Sequence, residues 1–455
     1  MSLTKYEKMT QEPVRKLVCE LAAPSIVVML VLSLYNMADT FFVSSLGTSA
    51  TAAVGVTFGL MNVIMAVGFF FGQGSGNSIA RALGAQKKEY AAKMASTGFF
   101  TAFFIGVILA IVGTIFLLPL AKILGSTPTI LPYSMDYIRL IVISSPFMIT
   151  SYMLNTLLRF QGSAVYGMIG MCAGAVLNIG LDPLFIFVFD MGIIGAGLAT
   201  LIGQIFSFTL LLWGCTRGEN LRISIRNFKP GILYYKEIVR GGTPSLLRNV
   251  VTSLSTILLN QAAGGFGDAA IAAISITTRI AMMASSAMIG LGQGFQPVCG
   301  FNYGAKNYDR VKSAFKFTVI TATLFLIVVA TICYIYAPEI IALFRKDDPD
   351  VIAIGTVALR AQALTIPLNA WITISNMMMQ TMGKAIPASI LAFSRQGLFL
   401  IPVLYILLHF MGLTGIQICT PISDVCAFIL AIPLVINVWK RIMEPGKQIN
   451  SSIES

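Results

Sequence analysis

Residues 52–79, AAVGVTFGLMNVIMAVGFFFGQGSGNSI, decide how this chain is read. They contain no Lys, Arg, Asp or Glu. They outrun the roughly 20 apolar residues that a helix needs to cross a bilayer core of about 30 Å. The plan returns about 220 residues later in 270–297, AIAAISITTRIAMMASSAMIGLGQGFQP, where Gly72-Gln73-Gly74 recurs as Gly292-Gln293-Gly294. One such stretch predicts a membrane span. Its return in register predicts a duplicated one.

Working outward, the register extends over both halves of the chain. Pro24 matches Pro244, Gly47 with Ala52-Ala53 matches Gly267 with Ala272-Ala273, and Gly84-Ala85 matches Gly304-Ala305. After a one-residue slip, Arg139 matches Arg360, Pro146 matches Pro367, Asn155 matches Asn376 and Gly162 matches Gly383. Met191-Gly192 with Gly195 returns as Met411-Gly412 with Gly415. The hydrophobic pattern places spans near 17–42, 52–79, 94–118, 131–156, 164–188 and 193–215, then 238–262, 270–297, 313–337, 351–378, 385–409 and 413–438. The expected fold is therefore all-α and integral to the membrane, with 12 transmembrane helices in two six-helix bundles related by a pseudo-two-fold axis. The lobes are 1–215 and 238–455, joined by a cytoplasmic linker at 216–237. An even number of spans per half gives both halves the same orientation, the parallel-repeat plan in which a substrate cavity lies between the bundles.

Composition agrees. Hydrophobic residues make up 56% of the chain, charged residues 11%, and mean hydropathy is +0.82. Soluble domains carry about 25% charged residues, so lipid is the expected solvent. The net charge of +12 does not point to nucleic acid, because the basic residues collect between spans. They fill the amino-terminal tail (Lys5, Lys8, Arg15, Lys16), the second loop (Arg81, Lys87, Lys88, Lys93), the linker, the eighth loop (Lys306, Arg310, Lys312, Lys316) and the carboxy-terminal tail (Lys440, Arg441, Lys447). The alternate loops hold only Lys122, Arg345 and Lys346, beside Glu339, Asp347, Asp348 and Asp350. By the positive-inside rule both termini are expected in the cytoplasm of a prokaryote, with the chain multi-pass in its inner membrane. The first apolar run reads as a retained helix rather than a cleaved signal. The seven cysteines sit mostly in apolar runs without metal-ligand spacing and read as small buried hydrophobes. The sequon at Asn450 falls in the cytoplasmic tail and carries no meaning there.

Acids inside spans are costly and mark function. Asp39 lies towards the end of the first span and Asp182 within the fifth. Asn178 and Asp182 are four apart and share a helix face, and Pro183 frees backbone carbonyls beside them. Two carboxylates and an amide oxygen could cage a hard cation or hold a proton. The second half lacks the pair, since Leu259 stands opposite Asp39 and Pro402-Val403 opposite Asp182. The acids therefore mark a site peculiar to the first bundle. Arg139 and Arg360 occupy equivalent positions and read as structural; Asp424 is expected to be neutralised by an arginine, with Arg279 and Arg395 in the same half. Tyr35, Asn155 and Asn376 are candidate lining of the substrate cavity. The run Gly72-Gln73-Gly74-Ser75-Gly76 follows no strand, so it reads as close helix packing rather than a phosphate loop. No P-loop, His-Glu-x-x-His or catalytic triad is present, so neither an enzyme nor an organic cofactor is expected.

Taken together, Ala23-Pro24, Ala38-Asp39-Thr40 with Gly47, the Gly72-Gln73-Gly74 run leading to Arg81 and Gly84-Ala85, and Asn178 through Asp182-Pro183 resemble the multidrug and toxic compound extrusion (MATE) family, in its DinF-like and MepA-like prokaryotic branch. The resemblance covers essentially the whole chain. It implies a monomeric secondary antiporter that exports cationic or amphipathic organic compounds as protons or sodium ions enter. It places the coupling cation on Asp39, Asn178, Asp182 and Thr200, and a bend of the first helix at Pro24. Family members with acids in the second lobe are not matched, because the seventh and tenth spans have no Asp or Glu. A lipid-linked oligosaccharide flippase of the same superfamily is the alternative, kept open by Arg139, Arg279, Arg360 and Arg395.

Overall fold

The computed structural model describes residues 4–344 and 348–443, with the side chains of Asn36 and 441–443 excepted. Arg345, Lys346, Asp347, Lys447 and the Asn450 sequon, named above, lie outside the described residues, as does the Arg441 side chain. Every described regular element is helical. The first half comprises α1 (Lys5–Gln11), α2 (Val14–Ser44), α3 (Thr48–Gly84), α4 (Lys88–Ile115), α5 (Leu117–Ile123), α6 (Leu131–Phe160), α7 (Ala164–Pro183) and α8 (Gly192–Gly214). The second comprises α9 (Ile232–Gly264), α10 (Asp268–Gly304), α11 (Tyr308–Ile335), α12 (Ala337–Phe344), α13 (Pro349–Ala363), α14 (Leu368–Thr381), α15 (Ala385–Phe393), α16 (Ile401–Met411) and α17 (Leu413–Met443). Ten continuous segments are long and apolar enough to cross a membrane, and α13 with α14 forms an eleventh bent by 56°. The twelfth, α9, is 33 residues long. It falls short in apolarity because Lys236, Glu237, Arg240 and Arg248 lie along it. It also begins at Ile232, inside the expected linker, and its first turns carry Lys236, Glu237 and Arg240.

The duplication shows in the turns. Gly47 and Gly267 start α3 and α10 at φ 110° and 96°, a region that L side chains enter only under strain. The chain thus reverses identically after the first helix of each bundle. Prolines behave less alike. Pro146 sits inside a continuous α6, whereas the equivalent Pro367 stands where α13 breaks from α14. There the amides of Thr365 and Ile366 both donate to the Gln362 carbonyl at 3.0 Å, closing α13 with a tight turn. The expected single span 351–378 is therefore two helices. After Pro183, α7 continues as π-helical turns over Leu184–Val188, the loosened backbone that a proline produces. Around Pro24, by contrast, α2 runs unbroken.

The bundles meet along α3, α9 and α10, with α10 also packed on α2. A Cβ on Gly74 would strike the Ile238 carbonyl, one on Gly84 the Phe301 carbonyl, and one on Gly304 the Arg81 carbonyl. Within the first bundle Gly72 packs on Thr156 and Gly76 on the Phe160 ring. The glycine run therefore serves close packing, as its sequence suggests. Between the bundles, the buried Gln73 and Gln296 exchange amide hydrogen bonds at 3.4 and 3.2 Å. At the ends of these helices Arg81 donates from Nη2 to Glu237 and from Nη1 to the Thr381 carbonyl, both at 2.7 Å. The seam ends on the side that bears the basic loops.

Candidate ion and substrate sites

Helix periodicity assembles the first site. On α2, Tyr35 and Asp39 are one turn apart; on α7, Asn178 and Asp182 are one turn apart; α8 adds Thr200 and α6 adds Tyr137. All six are buried, Asp182 completely. Tyr137 donates its hydroxyl proton to Asp39 Oδ2 at 3.1 Å, and Asn178 Nδ2 donates to Thr200 Oγ1 at 3.3 Å. Tyr35 brings its hydroxyl beside Thr200. Asp39 Oδ1, Asn178 Oδ1 and both carboxylate oxygens of Asp182 are buried without any donor. Among the described residues no Lys, Arg or His pairs with either acid. The structure thus brings together all four residues that the resemblance places at the coupling site.

Buried polar atoms are normally hydrogen-bonded, and each one left bare costs about 1–3 kcal/mol. Four such acceptors, two of them on one carboxylate, ask for a proton or a cation. An oxygen-only donor set suits a hard monovalent ion or a proton; among the described residues no group of three or more His, Cys, Asp or Glu offers a metal cluster. Beside these oxygens Tyr35, Asn178, Thr200, Gln204 and Ser207 line a cavity of about 10 Å³, close to the smallest space that admits a single water. Sequence reasoning did not single out Tyr137. Nothing in the run Tyr137-Ile138-Arg139 marks it, and only the hydrogen bond that its hydroxyl donates from α6 to Asp39 on α2 gives it a role.

The second bundle is built otherwise. Asp424 is fully buried. Arg395 donates from Nε to its Oδ1 at 2.6 Å, while Thr365 and Asn369 donate to Oδ2 at 3.3 and 3.2 Å. The neutralising arginine expected from sequence is thus Arg395, and the break between α13 and α14 supplies the other two donors. Arg139 and Arg279 are exposed. Arg360 donates to the Tyr334 carbonyl at 3.2 Å and lies 5.7 Å from its ring centroid. The four arginines that kept a pyrophosphate-handling cavity open do not converge.

The cavity set Tyr35, Asn155 and Asn376 does not come together either. Tyr35 belongs with the acids, and Asn155 packs α6 against Gly167 of α7. Asn376, in the other bundle, accepts at Oδ1 from Arg248 Nη1 at 3.4 Å and donates from Nδ2 to the Ala388 carbonyl at 2.6 Å. Arg248 was within reach of sequence reasoning, since it stands inside the expected span 238–262. It was hidden among the linker arginines just before it.

Two duplicated bundles of lipid-crossing helices, with buried acids that no described basic residue pairs in one of them, define a multi-span membrane transporter rather than an enzyme. A profile of the MatE family matches residues 24–184 and 244–406, one match in each bundle, and the chain belongs to that family. It is 28% identical over 430 residues to the multidrug export protein MepA of Staphylococcus haemolyticus (strain JCSC1435), covering 94% of each chain. A MATE protein crystallised in complex with MaL6 superposes with a TM-score of 0.91 at 26% identity, over 97% of this chain and 100% of that one. A multidrug resistance MATE family transporter of the MOP superfamily, in an outward-facing conformation, superposes with a TM-score of 0.90 at 26% identity, over 98% and 100%. The flippase alternative finds no support in these matches.

Proposed function

We propose that this protein exports cationic or amphipathic organic compounds from a prokaryotic cytoplasm in exchange for protons or sodium ions held at Asp39, Asn178, Asp182 and Thr200. The observation that carries the reading is the set of four buried oxygens without donors, in a bundle with no arginine or lysine near them. A proton or sodium ion arriving there gives Asp182 the positive partner that its surroundings withhold. It draws α2, α7 and α8 together, since each contributes a ligand. Pro24 leaves α2 without one backbone hydrogen bond and provides the place where that helix yields. In this scheme the narrowing of the first bundle expels the compound outwards. The chain works as a monomer in the inner membrane, with both termini cytoplasmic.

If one monovalent ion replaces one singly charged compound, no net charge crosses. The membrane potential, about 2.3 kcal/mol per charge per 100 mV, then adds nothing, and only the ion gradient drives export. The test is the protein in liposomes loaded with a fluorescent organic cation, with pH and sodium gradients imposed separately. Efflux should follow one gradient and stop in Asp39→Asn and Asp182→Asn. Full efflux in both variants at normal protein density overturns the reading.

A further inference from the structure

Arg248 is the middle residue of the 33-residue α9, and an unpaired charge within a membrane helix is costly. Yet among the described residues it enters no ion pair. Its guanidinium carries five donors, of which one reaches a protein acceptor, the long 3.4 Å contact from Nη1 to Asn376. The residue is only partly buried, and none of its remaining guanidinium nitrogens is among the fully buried atoms without a partner, so those donors stay accessible.

The neighbouring polar groups are already spent on one another. Gln380 Nε2 bonds the Gly241 carbonyl and Ser245 at 2.7 and 2.8 Å, and Ser255 bonds the Gln396 carbonyl at 2.9 Å. Asp424, the buried acid of this bundle, is taken by Arg395, Thr365 and Asn369. Among the described residues, none of these groups neutralises Arg248. Meanwhile Asn376 is held by the Ala388 carbonyl and engages Nη1 alone, so Nε and Nη2 have no protein acceptor among the described residues. A guanidinium edge with free parallel N–H groups is the geometry that takes a carboxylate, sulfonate or phosphate in two bonds.

We propose that Arg248, oriented by Asn376, seats an acidic group of the transported compound, so that the substrates include amphipathic molecules bearing a carboxylate, sulfonate or phosphate. This rests on the export reading above and narrows its substrate class. The first bundle handles the incoming cation and the second receives the negative end of the outgoing compound. A substrate's acid arriving at Arg248 resolves the uncompensated charge there as an ion resolves the bare oxygens at Asp182.

The experiment compares rhodamine 110, which bears a free carboxylate, with its methyl ester rhodamine 123, on the full chain in proteoliposomes and in detergent-binding titrations. Losing a charged hydrogen-bonding partner corresponds to roughly ten- to a hundredfold in affinity. Arg248→Gln should therefore raise the ratio of the KM (and Kd) for rhodamine 110 to that for rhodamine 123 about tenfold or more. Arg248→Lys should restore part of the discrimination, because it keeps the charge and loses the fork. If Arg248→Gln does not fold, the Lys variant alone must still raise the ratio. An unchanged ratio in a folded variant, with rhodamine 123 efflux still abolished by Asp39→Asn, overturns this inference and leaves the export reading standing. Failure of the wild-type protein to move either dye overturns both.

Discussion

The two bundles share helix order, turn glycines and packing glycines, but treat their buried acids differently. In the first, Asp39 and Asp182 sit together without a basic partner and with three carboxylate oxygens lacking donors. In the second, the one fully buried acid has an arginine and two further donors, and a second arginine, Arg248, has no acid. The difference shows which parts of a duplicated fold are free to diverge. Gly47 and Gly267, or Gly84 and Gly304, answer to backbone geometry that both copies must keep. The polar interiors are under no such constraint, so one keeps carboxylate oxygens without donors while the other balances its acid internally.

The largest expected effect tests that contrast directly. Asp39→Asn or Asp182→Asn should reduce gradient-driven efflux to the level of protein-free liposomes, while Asp424→Asn retains ion-coupled transport. Equal loss in all three would erase the distinction between the bundles. Next, Arg395→Leu strands Asp424 as a buried charge, a change that typically costs about 3–5 kcal/mol. It should lower the melting temperature in detergent by several degrees, with most of the loss recovered in Arg395→Leu/Asp424→Leu. If the double variant melts no higher than the single one, the pair is not the source of the instability. Gly84→Ala and Gly304→Ala should behave as equals, since each new Cβ meets a carbonyl of the other bundle. Overpacking of this kind costs about 1–3 kcal/mol and should favour states with the seam apart, readable as faster labelling of a cysteine placed at Ala85. Unequal responses would show that the seam is less symmetric than the backbone suggests. Smallest, Gln73→Leu leaves the Gln296 amide bare and should cost about 1–3 kcal/mol, whereas Gln73→Leu/Gln296→Leu should fall close to wild type in thermal stability.

Much of the fold was legible because membrane burial writes itself as length and composition. A run such as 52–79 admits few structures, and its recurrence fixes the number of bundles. What escaped was decided by neighbours rather than by the run itself. Pro146 and Pro367 are the same residue at the same repeat position, yet only the second ends a helix. At the first, Gly106 packs against the Pro146 backbone. The short helices α1, α5 and α12 are below the length that a membrane ruler detects. At the site, Asp39, Asn178 and Asp182 stood out as polar residues in apolar runs. Thr200 came only from family resemblance and Tyr137 only from the structure. A hydroxyl in a membrane helix is ordinary, because it can return its proton to the preceding turn, as Thr57 does to the Ala53 carbonyl at 2.8 Å.

The glycine seam has a further consequence for energy conservation. An exchanger must not let its driving ion slip through unaccompanied, and protons in particular travel along files of hydrogen-bonded water. Where Gly84 and Gly304 set helix backbone directly on helix backbone, no such file passes between the two touching main chains. The barrier is made of main chain rather than of a swinging side chain, so thermal rotamer motion does not open it. Only separation of whole helices does, and in the exchange proposed above leak is thereby tied to the movement of turnover.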